Sequence, residues 1–253
     1  MAIGYQFDQG VATLTFDRPE KKNAITGEMY EAIVRHLREA ALDKSVRAVL
    51  ITGAGSAFTA GNDLKDFADP KFARPDSPVL SFMQALATCE KPVVAAVNGP
   101  AVGAGCELAV AADFRLASEH ARFGEVWIKL GCVPALGGMY LLPRLVGVTK
   151  ATEMILTGEI IDAAEAYRVG LVNRVVAADR LMDAALELAG SLARGPARAL
   201  AAAKASINRG LASDLWTELD ATVTEQLQCF ATRDFAEGVR ALAERRPARF
   251  TGE

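Results

Sequence analysis

Twice in this chain a short apolar run breaks directly into a cluster of glycine and alanine. AVLIT (Ala48–Thr52) leads into GAGSAFTAGNDLKDF (Gly53–Phe67), and VVAAV (Val93–Val97) leads into NGPAVGAGCEL (Asn98–Leu108). Brief apolar runs ended by glycine read as buried strands. In the second cluster, three glycines and two alanines fall within the seven residues Gly99–Gly105, and a carboxylate, Glu107, follows in an otherwise apolar stretch. A bare backbone next to an acid first suggests a phosphate cradle, but the letters disagree. A dinucleotide fingerprint would need a third glycine where Leu108 stands, and a Walker A loop would need a lysine after its last glycine. A tight turn made for packing remains open for either cluster taken alone. Taken together, two such turns at strand ends can aim two backbone N–H groups into one cleft. That device is an oxyanion hole, suited to the negative oxygen of a thioester enolate or a tetrahedral intermediate. It requires small residues because the backbone itself must approach the ligand.

The chain of 253 residues is long enough for one large domain or a domain with an appendage, and its 51% hydrophobic content implies a packed core. A net charge of −3 gives no basis for a nucleic-acid surface. Cys89, Cys106, Cys132 and Cys229 are scattered without a CxxC pair and read as buried thiols of a reducing compartment. His36 lies among Glu31, Arg35 and Arg38 and reads as a surface helix residue; neither it nor His120 suggests a zinc site or a Ser-His-Asp triad. MAIGYQF lacks the features of a signal peptide, and no apolar run reaches the length of a membrane span, so a cytoplasmic location with no membrane contact is expected.

Strands are expected in GVATLTFDRP, VRAVLITGAG, KPVVAAVNG, FRLAS and LVNRVV. A helix is expected from a Thr26 N-cap, with Met29, Ile33, Leu37 and Ala40 on one face. Further helices are expected in PVLSFMQALATCE, in GCELAVAAD, around the proline of GGMYLLPRLVG, and after Pro196. Strands alternating with helices argue for an α/β core over residues 1–178. Residues 179–253, alanine-rich and almost wholly helical, are expected to cap that core or to pack on a neighbouring subunit.

RPEKKNAIT (Arg18–Thr26), AFTAGNDLKDF (Ala57–Phe67), VNGPAVGAGCELAVAADFRLA (Val97–Ala117), TGEIIDAAEAYRVGLVNRVV (Thr157–Val176) and DFAEGVRALAERRPARFTG occur in this order. Together they resemble the crotonase superfamily, the enoyl-CoA hydratases and isomerases, over essentially the whole chain. The resemblance implies a crotonase-like spiral of ββα units with a C-terminal helical trimerisation region, assembled as a homotrimer or a dimer of trimers. It implies an acyl-CoA thioester substrate, with CoA arriving as part of that substrate and no metal or redox cofactor. The oxyanion donors match the N–H groups of Asn62 and Ala104, where most members carry alanine and glycine; both are expected at helix starts, where the dipole assists. CoA is expected along Lys21, Lys22, Ala24, Ala60, Asp63 and Leu64. Arg246 and Phe250 are candidates to close over the nucleotide, from this or a neighbouring subunit.

Hydratases of the superfamily commonly use two glutamates. One matches Glu107. The other would fall at Trp127, the fifth residue of FGEVW. Glu125 stands two residues early, which in an extended segment moves a carboxyl roughly 6–7 Å along. Some isomerases use an acid that would fall at Ala135. One retained carboxylate is therefore expected. It can serve a hydratase, with Glu107 handling both water and the α-carbon, or a double-bond isomerase, which needs a single base. An acyl-CoA binding protein with little turnover is a further alternative. Trp127 is expected either to shape the acyl end of the pocket, favouring a planar group or shortening the space, or to be core packing.

Overall fold

The computed structural model describes residues 2–67, 74 and 76–253. β1 (Ile3–Asp8) and β2 (Val11–Phe16) form an antiparallel hairpin. From β2 the sheet continues in parallel through β3 (Ala48–Gly53), β4 (Val93–Val97), β6 (Phe114–Ser118) and β9 (Arg174–Val176). A second, smaller sheet orders β5 (Pro100–Val102), β7 (Arg122–Gly124) and β8 (Ile160–Asp162). The repeat is legible in the order of elements. β4 passes through β5 into α4 (Ala104–Ala111), and β6 passes through β7 into a 3₁₀ turn (Val126–Leu130) and then α5 (Gly138–Thr157). After β3 the chain bridges in parallel to the small sheet, Thr59 against Ala101, before the single turn α2 (Leu64–Phe67). This is the crotonase-like ββα spiral.

The continuous apolar runs follow from burial on both faces of the large sheet. β3 sends Val49 and Ile51 to one side and Ala48 and Leu50 to the other; β4 sends Val93, Ala95 and Val97 one way and Val94 and Ala96 the other. The first face is covered by α1 (Gly27–Leu42), α3 (Pro78–Ala87), α4 and α5, which contribute Ile33, Leu37, Phe82, Leu108 and Leu142 among others. α1 starts where expected: the Thr26 side chain accepts the Met29 N–H, and Met29, Ile33, Leu37 and Ala40 are buried. α5 contains Pro143 and is kinked at Gly147, whose φ of 77° interrupts the helical path.

The second face is covered by α7 (Leu181–Ala193), which follows α6 (Ala163–Arg168) and packs Leu181, Ala185, Ala189 and Ala193 against the strands. The helical region that begins at residue 179 therefore contributes its first helix to the sheet's own core. α8 (Ala197–Gly210) and α9 (Leu215–Phe230) pack on each other and bury no residue; α10 (Arg233–Ala243) follows. Among the described residues, no helix is long and apolar enough to cross a membrane.

The turn preceding α1 is tied to the first glycine cluster by one side chain. Asn23, fully buried, donates from Nδ2 to the carbonyls of Ala54, Ala57 and Phe58 at 2.9, 2.8 and 3.2 Å, and its Oδ1 accepts the Arg18 N–H at 2.9 Å. Its φ of 56° lies in the left-handed region, which asparagine tolerates better than most residues. Asn23→Ala strips a buried donor from these carbonyls and is expected to destabilise the fold by about 1–3 kcal/mol. A lowered denaturant midpoint with an unchanged slope is the expected result; an unchanged midpoint would show that these bonds hold nothing.

Candidate active site

Parallel pairing between the segments that follow β3 and β4 sets the two glycine clusters side by side. The amides of Phe58 and Thr59 donate to the Pro100 carbonyl, Val102 donates to Thr59, and Gly103 donates to Gly124. One step beyond this ladder, Gly61–Asn62 faces Gly103–Ala104. Gly61 has a φ of +89°, and a side chain there would begin 2.6 Å from the Val102 carbonyl oxygen. At Gly105 a side chain would begin 2.6 Å from the Thr59 oxygen. The clusters can approach this closely because neither position carries a Cβ.

The two amides at this junction are left over by the local hydrogen bonding. Ile25 donates to Gly61 O and accepts from Asp63 N, so the intervening Asn62 N–H faces away from that partner. Ala104 is the first residue of α4, where an N–H has no intrahelical acceptor. Among the described residues neither amide donates to a protein acceptor. Only Ala104 stands at the start of a substantial helix. Asn62, expected at a helix start as well, lies two residues before the four-residue α2, so the dipole argument holds for one amide. The Asn62 side chain is pinned separately, its Oδ1 accepting the buried Tyr30 hydroxyl at 2.5 Å.

Both amide-bearing residues line a cleft of about 540 Å³. Of the residues expected along it, Lys21, Ala24, Ala60, Asp63, Leu64 and Trp127 are present in its walls. Lys22 is not: it is exposed in the left-handed conformation with φ 49°, and what it contributes is a carbonyl that accepts the Ala60 N–H at 2.9 Å. Arg18, Lys65, Val126, Lys129 and Leu130 complete the walls without having been expected there. Arg18 Nη1 bonds Asp63 Oδ2 at 2.6 Å and the Ala24 carbonyl at 3.1 Å, joining the two sides of the cleft mouth. The hydrogen bond from Arg18, helped by the Lys65 amide, lowers the Asp63 carboxyl below its ordinary value. Arg246 and Phe250 do not reach this cleft. Arg246 pairs with Glu237 and Glu244 at 2.6 Å each, and Phe250 packs over Gly238. Ala135 is exposed and outside the cleft walls.

Glu107, in the first turn of α4, is wholly buried and is not among the residues lining the cleft. Its Oε1 accepts the amides of Leu136 and Gly138 at 2.7 and 3.1 Å, at the N-terminus of α5. Burial raises its carboxyl well above the usual range, opposed by those two amides and by the Trp127 indole. Glu125 brings a second carboxyl into the same buried region. Strand β7 ends at Gly124, and Glu125 (φ −92°, ψ 73°) caps the 3₁₀ turn, so the extended spacing expected between Glu125 and Trp127 does not apply. Glu125 is fully buried beside Glu107. Its carboxyl is raised by burial and then by the Glu107 charge, with Cys106 and Trp127 pulling the other way. Gly138 leaves room for the pair: a side chain there would begin 3.0 Å from Glu107 Oε1 and 3.3 Å from Glu125 Oε1. Trp127 serves both environments, lining the cleft over Gly103 and favouring the ionised forms of both glutamates. No cluster of metal-ligating side chains occurs among the described residues.

Comparison with known proteins points the same way. A family model described as enoyl-CoA hydratase/isomerase matches residues 6–253. A probable enoyl-CoA hydratase of Mycobacterium bovis is 40% identical over 247 residues, covering 96% of this chain and 95% of the relative. The 1,2-epoxyphenylacetyl-CoA isomerase of Escherichia coli is 37% identical, covering 97% of each chain. Among solved structures, an enoyl-CoA hydratase from Bacillus anthracis superposes with a TM-score of 0.96 at 34% identity over 100% of both chains.

Gly61→Ala places a Cβ against the Val102 carbonyl in a backbone conformation that disfavours it, so the two clusters must separate. A loss of about 1–3 kcal/mol in folding stability is expected, read by chemical denaturation. Stability equal to the parent's would mean that the close approach is not required.

Proposed function

The chain belongs to the enoyl-CoA hydratase/isomerase family, and from that premise we propose that it adds water reversibly to a 2-enoyl-CoA thioester. The observation that carries this reading is the pair of unengaged amides, Asn62 and Ala104, at the junction of two glycine clusters, with Glu107 one turn along the helix that Ala104 opens. The thioester oxygen accepts both N–H groups. Glu107 takes a proton from water as the oxygen of that water bonds to the β-carbon. The electron pair of the double bond moves toward the thioester oxygen, where the two amides stabilise the enolate. Glu107 then delivers the proton it holds to the α-carbon, which completes the addition and restores its carboxylate. The chemistry is proton transfer throughout and calls for no metal or redox group. Lys21 at the cleft mouth meets the CoA phosphates as a point charge, and Ala24, Ala60, Asp63 and Leu64 flank the pantetheine and nucleotide portions.

A second reading, transfer of a double bond by a single base, is favoured by one observation. Trp127 occupies the cleft where an acid of the hydratases would stand, and the E. coli relative is named as an isomerase of an aromatic acyl-CoA. The same indole favours a planar acyl group under either reading. Assembly as a trimer is supported by the exposed apolar residues of α9, Trp216, Leu219, Val223, Leu227 and Phe230. The four unpaired cysteines suit a reducing, cytoplasmic setting.

Crotonyl-CoA incubated with the protein should lose its conjugated absorbance, and Glu107→Gln should slow that loss by about 10²–10⁴-fold while a CoA thioester still raises the melting temperature. Appearance of conjugation from a 3-enoyl-CoA, without hydration, would instead establish the isomerase. A thermal shift with neither reaction would leave a binding protein.

A further inference from the structure

Glu125 has no part in the reaction as drawn, yet it is among the least accommodated polar groups in the molecule. Neither of its oxygens makes a well-formed hydrogen bond, and Glu107 Oε2 beside it likewise lacks one. Both side chains are at 0% exposure. The titratable groups acting on the pair are Cys106 on α4 and Tyr30 on α1, both neutral; Trp127 of the 3₁₀ turn supplies an uncharged donor, and Gly138 of α5 supplies space and an amide. Two carboxyls this buried, both reaching the space beside Gly138, do not ionise together. The backbone decides which one does: Glu107 Oε1 already holds two amides, whereas Glu125 holds none.

We propose that Glu107 and Glu125 share a single proton at neutral pH, that it resides on Glu125, and that Glu125 is the positioning residue whose neutral form keeps Glu107 ionised as the base. The kinetic consequence rests on the hydration reading above; the proton count does not. Activity is lost on the acid side when Glu107 is protonated, and on the alkaline side when the shared proton leaves. Burial and the neighbouring charge both push that second loss upward from the ordinary carboxylate range.

Infrared difference spectroscopy of the whole protein reads the proton directly. The parent at neutral pH should show the band of a buried carboxylic acid, and Glu125→Gln should remove it. Among the described residues the other buried carboxylate, Asp234, is held elsewhere by the Thr251 and Gly252 amides and is untouched by the substitution. In Glu107→Gln the band should persist but titrate away at lower pH, because the repelling charge is gone; this arm stands even if Glu125→Gln does not fold. The pH–rate profile of Glu125→Gln should keep its acid limb and lose its alkaline limb, a change that a purely structural residue would not produce. Absence of the band in the parent, or its persistence in Glu125→Gln, overturns the proposal even if hydration proceeds. A band that responds to both substitutions in a protein that turns over no enoyl-CoA upholds the proton sharing and removes the proposed reaction instead.

Discussion

The proposed chemistry depends on two backbone segments lying in parallel register. Thr59 pairs with Ala101, and this pairing, not any side chain, sets Asn62 opposite Ala104. Neighbouring strands stand about 4.8 Å apart, a spacing at which two amides can address one oxygen. The ladder uses up the N–H groups of Phe58, Thr59, Val102 and Gly103 and leaves those of Asn62 and Ala104 facing the cleft. The glycines are consequences of that closeness. With a carbonyl oxygen 2.6 Å from where a side chain would begin, neither Gly61 nor Gly105 has room for one. The identity of the side chains at 62 and 104 matters less, since what faces the cleft is peptide nitrogen.

The large sheet supplies the register. Its parallel strands require crossovers, so the carboxyl ends of β3 and β4 open on the same edge and their turns emerge together, the place where open α/β sheets hold ligands. Burial on both faces fixes that edge in place. A shift of β3 by one residue would exchange Val49 and Ile51 for Ala48 and Leu50 and unmake both the α1–α3 side and the α7 side. The small residues of α7 at 185, 189 and 193 let that helix lie close against the strands. The C-terminal helical region is thus anchored to the sheet it follows, while α8 and α9 keep their apolar residues outward.

Much of this was legible because the signals are local. The runs of β3 and β4 are bounded by glycine, Thr26 announces α1, and the spacing of Met29, Ile33 and Leu37 gives its buried face. β5, β7 and β8 were not legible: three residues each carry no periodicity, and they are strands only by virtue of their neighbours. Lys21 and Lys22 are equivalent as letters. The left-handed turn at Lys22 and Asn23, secured by the buried amide of Asn23, is what separates them. The place of Glu125 is hidden for a related reason. Counting along an extended strand sets its carboxyl apart from the Trp127 position, but the strand ends one residue earlier and the chain turns. Lys129 and Leu130 reach the cleft through that same turn.

Trp127 gives the site its particular balance. An indole N–H can only donate, so Trp127 adds a donor beside the two glutamates without adding a charge. The donor favours ionised carboxylates, while burial disfavours them, and Glu107 and Glu125 feel both influences. Neither influence separates the two glutamates. What does is the N-terminus of α5, whose amides reach Glu107 alone. The asymmetry that an acid–base reaction needs therefore comes from a helix end and an absent side chain at Gly138, with both carboxyls otherwise sharing one dry environment. A site of this kind holds two buried carboxyls in one environment, where the charge on one is felt by the other.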